Sequence, residues 1–276
     1  MGRKDNQEMS QFYLIAGTKG GIGKTFAATL LADSALDLGR RIVLFDCDDE
    51  NSTLADSYQR EIPGVTVVKV GLDSDPEKEY PLDRIVNTIA GMETGRERSD
   101  TVYLADMKAG TSHRTIDWMR CFPFDLFREY GIRIVLVGIV TGDIDSVLTL
   151  AVWIKQYLEE FKDGSMRLQI IKNHFLNVPF DFYEQKLAPS IRSLPGCSVI
   201  ELDSLGVRTL KAVRDMNTSL GQMVSGKTPI PSFEIMDNIR CGSYYHRMKK
   251  LFQSMLEQDA SRPEDARSKE SKRHAG

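Results

Sequence analysis

Thr18-Lys19-Gly20-Gly21-Ile22-Gly23-Lys24-Thr25 is the stretch on which the reading of this 276-residue chain turns. It follows residues 12–16 (FYLIA), a short apolar run that reads as a buried strand. From Lys24 onward Ala27, Leu31, Ala35 and Leu38 recur at three and four residues until Gly39, so a helix is expected there. A glycine-rich turn between a strand and a helix suits a phosphate. Glycines let the backbone curl so that several N–H groups point at one anion, and the helix adds the positive end of its dipole. Lys24 has the length to reach β- and γ-phosphates, and the Thr25 hydroxyl suits Mg²⁺. A ligand-free turn would leave this combination of lysines, glycines and hydroxyl without a reason.

Outward from the loop, apolar runs at 41–45, 65–70, 101–105, 132–140, 167–171 and 198–202 read as further strands. Helical stretches lie between several of them, notably 143–161. Strands alternating with helices imply βαβ units, an α/β class and a mostly parallel sheet flanked by helices. A last helix is expected over 243–256, where Tyr244, Met248, Leu251, Phe252 and Met255 fall at helical spacing. Residues 1–11 are polar and read as a flexible N-terminus, ahead of one domain over 12–256. Residues 257–276 (EQDASRPEDARSKESKRHAG) have almost no large apolar side chain to offset their ordering entropy, so a disordered, charged tail is expected.

Bulk composition narrows the classes. A net charge of −3 does not advertise nucleic acid, so any DNA contact needs a local patch. The four cysteines, Cys47, Cys121, Cys197 and Cys241, form no CxxC pair and stand apart from the histidines. Neither a disulfide framework nor a zinc site is expected, and a reducing cytoplasm fits. The N-terminus lacks the apolar core of a signal peptide. The strongest apolar run, 132–140, is far short of the ~20 residues needed to span a bilayer.

Two strand ends carry carboxylates. Asp46-Cys47-Asp48-Asp49-Glu50-Asn51-Ser52 directly follows the second strand, and the fourth, TVYLA, ends at Asp106. An apolar strand ending in an aspartate is the usual partner of a phosphate loop, holding the Mg²⁺ shell, which keeps several waters.

With its early lysine, Lys19-Gly-Gly-x-Gly-Lys-Thr resembles the deviant Walker-A motif of the ParA/MinD family of P-loop ATPases. The family pattern usually opens with glycine, where this chain has Thr18, and Phe26 stands where a second threonine is common. The resemblance implies a three-layer P-loop NTPase fold with a seven- or eight-stranded, mostly parallel sheet. It implies ATP and Mg²⁺ as ligands, held by Lys19, Gly20, Gly21, Ile22, Gly23, Lys24, Thr25 and Phe26. It also implies that Lys19 reaches across a homodimer to the nucleotide of the partner subunit. The 46–52 segment is similar to the family's first switch, DxDPQGN, with Asp49-Glu50-Asn51 in place of Pro-Gln-Gly. Asp48 would then orient the attacking water and help Thr25 and Asp106 hold the metal. Asp106-Met-Lys-Ala-Gly110 is similar to the second switch, DxPAG, with Lys108 in the proline position. Asn173, at the end of a later strand, matches an asparagine that reads the adenine edge, and no NKxD motif for guanine is evident.

The resemblance leaves the cargo open. The leading expectation is a plasmid or chromosome partition ATPase of the cytoplasm, associated with the nucleoid and triggered by a ParB-like adaptor. Arg208, Lys211 and Arg214 fall at three-residue spacing, near one helix face, and Arg240, Arg247, Lys249 and Lys250 follow. These residues are candidates for gripping DNA phosphates without sequence preference. With the first strand at residue 12, an N-terminal helix-turn-helix is not expected. One alternative is an accessory ATPase of conjugation or mobilisation, of the StbB or TraL types, with a conjugation adaptor. Another is a MinD-like membrane switch using 247–252, a basic amphipathic segment that about twenty polar residues follow.

Overall fold

A computed structural model describes residues 10–17, 19–48, 50–59, 61–71, 80–93, 101–121, 124–226 and 230–260. In chain order the first half comprises β1 (Ser10–Ala16), α1 (Lys24–Asp37), β2 (Arg41–Cys47), α2 (Thr53–Ser57), β3 (Val65–Lys69), α3 (Asp83–Glu93), β4 (Thr101–Met107), α4 (Ser112–Arg120) and α5 (Phe124–Glu129). Then come β5 (Ile132–Val140), α6 (Ile144–Gln156), α7 (Leu158–Asp163), β6 (Met166–Asn173), α8 (Ala188–Ile191), β7 (Cys197–Leu202), α9 (Val207–Asp215), α10 (Leu220–Val224) and α11 (Ile235–Ala260). All seven expected strands form, and they make one sheet in the order β3-β2-β4-β1-β5-β6-β7. Every pairing in it is parallel.

Parallel strands need crossovers, and the helices of those crossovers cover both faces of the sheet. Period-2 alternation sorts the side chains between two cores. Along β1, Phe12, Leu14 and Ala16 enter the core roofed by α3 to α8. Tyr13 and Ile15 enter the opposite core, under α1, α2, α9, α10 and α11. Helix α1 is buried almost all round, and its alanines let it lie close between the sheet, α10 and α11. The loop that feeds α1 is therefore anchored on both sides by core.

The first strand and the last helix both outgrow their expected bounds. β1 begins at Ser10 rather than at residue 12, and both Ser10 and Gln11 are buried. Gln11 is polar yet internal because its amide donates to the Leu256 carbonyl at 2.8 Å and its oxygen accepts from Arg40 at 2.5 Å. At the other end α11 starts eight residues earlier than expected and runs to Ala260, past the expected limit of 256. Glu257 to Asp259 thus belong to a helix. Asp259 is fully buried, accepting from Tyr13 Oη at 3.0 Å and from Gln169 Nε2 at 2.9 Å. Residues 1–9 and 261–276, the rest of the expected flexible segments, lie outside the described residues. Among the described residues no helix is long and apolar enough to cross a membrane.

Candidate functional site

The site sits at the C-terminal ends of the central strands. Residues 17–23 leave β1 and enter α1, whose N-terminus has no side-chain cap and no acidic residue in its first turn. With a glycine cap and no acid in its first turn, the positive end of the helix dipole suits an anion. Gly23, the residue before the helix, has φ of +93°. A Cβ there would lie 2.5 Å from Asn173 Nδ2, so only glycine serves. Ile22 points into the core beneath the loop. Thr18 lies outside the described residues.

Lys24 is buried, and its ammonium donates to the Lys19 carbonyl at 2.9 Å, closing the loop into an arch. Burial lowers its pKa, while the carboxylates of Asp106 and Asp48 oppose that shift. Thr25 Oγ1 donates to Asp106 Oδ2 at 2.7 Å, joining α1 to the end of β4. Asp106 is buried, and among the described residues its Oδ1 has no hydrogen-bond partner. Burial pushes the Asp106 carboxyl up to about 7, against the hydrogen bond from Thr25, with Asp46 and Asp48 adding to the rise and Lys24 countering it. A buried carboxylate oxygen without a partner is costly in a closed protein. Beside a hydroxyl and an ammonium, it fits the outer shell of a phosphate-bound Mg²⁺. No group of three or more His, Cys, Asp or Glu side chains among the described residues is arranged as a metal cage. The donors at Thr25 and Asp106 therefore suit a cation that arrives with phosphates.

Asp46 and Asp106 are register partners on adjacent strands, which brings the loops after β2 and β4 out side by side. Asp46, which sequence reading left without a role, pins the first of these loops. Its Oδ1 accepts from Asp48 N at 3.0 Å and its Oδ2 from Ala55 N at 2.8 Å. Asp48 turns back on its own loop, accepting from Asn51 N at 3.2 Å, and Ser52 N bonds the Asp48 carbonyl at 2.7 Å. Glu50, on the same loop, meets Lys108 of the next at 3.1 Å.

Other candidates are engaged within the chain. The Lys19 ammonium pairs with the carboxylate of Asp143, the N-cap of α6, and Asp145 lies 3.8 Å away. Asn173 is buried, its amide donating to the Ile22 carbonyl at 2.8 Å and its oxygen accepting from Phe175 N at 3.2 Å. The Phe26 ring turns away from the loop and packs on Tyr244, with centroids 6.4 Å apart. Gly20 and Gly21 are exposed at the tip.

The basic residues lie on two helices. Arg208, Lys211 and Arg214 are exposed on α9, with Arg208 bonded to the Ser232 carbonyl and 3.6 Å from Asp237. On α11, Arg240 and Lys250 are exposed, Arg247 pairs with Asp203, and Lys249 pairs with Asp37. This surface mixes signs, so its cations are partly committed to acids of the same chain.

Comparison with known proteins bears on this geometry. The family model described as the CobQ/CobB/MinD/ParA nucleotide binding domain matches residues 13–203, which run from β1 past β7. Among solved structures, the chain is similar to the MinD cell division protein of Aquifex aeolicus. The two are 15% identical with a TM-score of 0.44, over 87% of this chain and 97% of that one. No curated protein sequence matches the chain.

Proposed function

The chain belongs to the CobQ/CobB/MinD/ParA family of nucleotide-binding domains, and from that premise we propose an ATP-dependent dimerisation switch that hydrolyses ATP and positions DNA. The observation that carries the reading is the junction of Thr25 and Asp106 beneath an uncapped helix. There a buried carboxylate oxygen with no hydrogen-bond partner among the described residues and a hydroxyl meet, within the electrostatic reach of the Lys24 ammonium.

In this reading the N–H groups of Gly20 to Phe26 cradle the phosphates and Lys24 faces the β- and γ-phosphates. Thr25 and Asp106 hold the magnesium with its waters, helped by Asp48. Magnesium held there would supply positive charge beside the transferred phosphoryl group. Asp48 leaves Asn51 to orient the attacking water, which displaces ADP in line. The protein contributes mainly positioning and charge. Asn173 holds the loop through one amide hydrogen and offers the other to the adenine edge. Lys19 leaves Asp143 and contacts the nucleotide of a second subunit, making ATP the glue of a homodimer. The γ-phosphate orders the loops after β2 and β4, and its loss releases the dimer. Arg208, Lys211, Arg214, Arg247 and Lys250 bind DNA phosphates, and an adaptor of the ParB-like or conjugation kind sets the timing.

ATP turnover with and without non-specific duplex DNA tests this, with Lys24→Ala as the blank. The reading expects turnover in the wild type, stimulated by DNA, lost as salt rises and absent from the blank. Turnover indifferent to DNA would remove the DNA role. Nucleotide affinity unchanged in Lys24→Ala would remove the site.

A further inference from the structure

Glu50 and Lys108 form an ion pair that links the two loops flanking the phosphate cradle. Lys108 Nζ lies 3.1 Å from Glu50 Oε1. The side chains differ in setting: that of Lys108 is 11% exposed and that of Glu50 72%. Lys108 thus holds its charge inward, and Glu50 comes to it from the surface. Its backbone is fixed by a turn in which the Lys108 carbonyl accepts from Thr111 N and from Thr111 Oγ1 at 2.7 Å. The next residue, Ala109, lies against the phosphate loop: a Cβ on Gly20 would sit 3.7 Å from Ala109 Cβ. The base of Lys108 is therefore beside the cradle, while its ammonium is held by a carboxylate from the neighbouring loop.

We infer that Lys108 is a γ-phosphate sensor whose ammonium exchanges Glu50 for the terminal phosphate when a nucleoside triphosphate binds. The inference rests on the nucleotide site proposed above and names how that site tells a triphosphate from a diphosphate. A terminal phosphate carries more charge than one carboxylate and offers more acceptor oxygens, so it competes for the ammonium at short range. A diphosphate ends one group short and leaves the pair intact. The exchange frees Glu50 from the loop after β4, so the loop bearing Asp48 can order around the γ-phosphate. Only a ligand that binds the two arrangements differently shifts that equilibrium, and the γ-phosphate supplies the difference.

The test measures dissociation constants of Mg²⁺-ADP and of a non-hydrolysable Mg²⁺-ATP analogue by calorimetry, for the wild type, Lys108→Met, Glu50→Gln and the double variant. Lys108→Met is expected to weaken the triphosphate about tenfold, the cost of one charge-assisted contact, and to leave ADP within about twofold. Glu50→Gln removes this competing carboxylate, so it tightens the triphosphate several-fold without affecting ADP. In the double variant the gain from Glu50→Gln disappears. An unchanged ratio of the two constants in Lys108→Met, or weaker triphosphate binding in Glu50→Gln, would overturn the inference. Glu50 is a surface residue, so its variant carries the test even if Lys108→Met does not fold. A folded wild type that binds neither nucleotide would bring down the nucleotide site itself, whereas normal binding with an unchanged ratio removes only the sensor.

Discussion

The ammonium of Lys19 rests on the carboxylate of Asp143, which lies 124 positions further along the chain. A lysine so held cannot at the same time reach the nucleotide of a second subunit. Pairing within the chain and contact across a dimer are therefore alternatives, and the strength of the first sets the cost of the second. Asp143 also caps α6, its Oδ1 accepting from Asp145 N at 3.1 Å. Asp143→Asn keeps a capping oxygen and removes the charge. The expected outcome is an ATP-dependent dimer tightened several-fold with a melting temperature within a few degrees of wild type. Sedimentation velocity with and without ATP measures the first and calorimetry the second. A weaker dimer would mean that the charge on Asp143 serves the assembled form instead.

What sequence shows and hides here follows from distance along the chain. The phosphate loop is a local object: its glycines, lysine and hydroxyl lie within eight residues, and strand and helix signals flank it. The central strands β1, β4 and β5 are legible because strands buried on both faces become continuous apolar runs, whereas the edge strands β3 and β7 are only partly buried and show as short runs rich in valine and isoleucine. Asp143 and Glu50 carry no such signal, since the partners that give them meaning stand 124 and 58 residues away. Asp259 is a different failure. It follows Phe252, Met255 and Leu256 at helical spacing on the buried face of α11, but an aspartate there reads as solvent-exposed. Its buried partners, Tyr13 and Gln169, come from β1 and β6. Ser10 and Gln11 are missed for the same reason, polar residues made internal by bonds to distant groups.

Asp33 gives the fold a pH dependence. This buried α1 carboxyl accepts from Ser219 Oγ at 2.7 Å, Gly221 N at 2.8 Å and Tyr58 Oη at 2.8 Å, tying α1 to α10 and to the residue after α2. Burial raises its pKa from 3.8 to about 6, although those three hydrogen bonds lower it. The folded state thus holds the proton more tightly than the unfolded chain. Its contribution to stability is complete below the unfolded value and is lost as pH rises through the folded value, a change of about 3 kcal/mol. In Asp33→Asn the side chain stays neutral, so this loss is absent, while the amide offers a poorer match to three donors and lowers stability at every pH. Urea melts of both proteins between about pH 4 and 7 compare the slopes. The Asp106 carboxyl, which also titrates high, is common to both and cancels in the difference. Parallel profiles would show that Asp33 is ionised in the fold at little cost.

The last turn of α11 is expected to carry stability without touching the chemistry. Asp259 sits near the starts of β5 and β6, while the phosphate loop leaves the far end of β1, so the two lie at opposite ends of the sheet. Its carboxylate lies 3.3 Å from Arg167, accepts from Gln169 and Tyr13, and its carbonyl accepts from Arg133 at 3.0 Å. Burial raises the Asp259 pKa, and the Arg167 guanidinium and the hydrogen bonds pull it back. Removing the carboxylate takes away the charge facing Arg167 and the acceptor of Gln169 and Tyr13, at a cost of about 3–5 kcal/mol. Asp259→Ala should therefore lower the melting temperature by about 10 °C, given about 2–4 °C per kcal/mol at this size. Asp259→Asn keeps hydrogen-bonding groups and should fall between the two proteins. Nucleotide affinity below the melting range should stay within about twofold of wild type, because ΔΔG values at distant sites with no shared partners add independently. Scanning calorimetry gives the stability and nucleotide titration gives the affinity. A variant that melts like the wild type would show that the helix end is only peripheral. One that keeps its melting temperature but loses nucleotide would show that the two ends of the sheet are coupled.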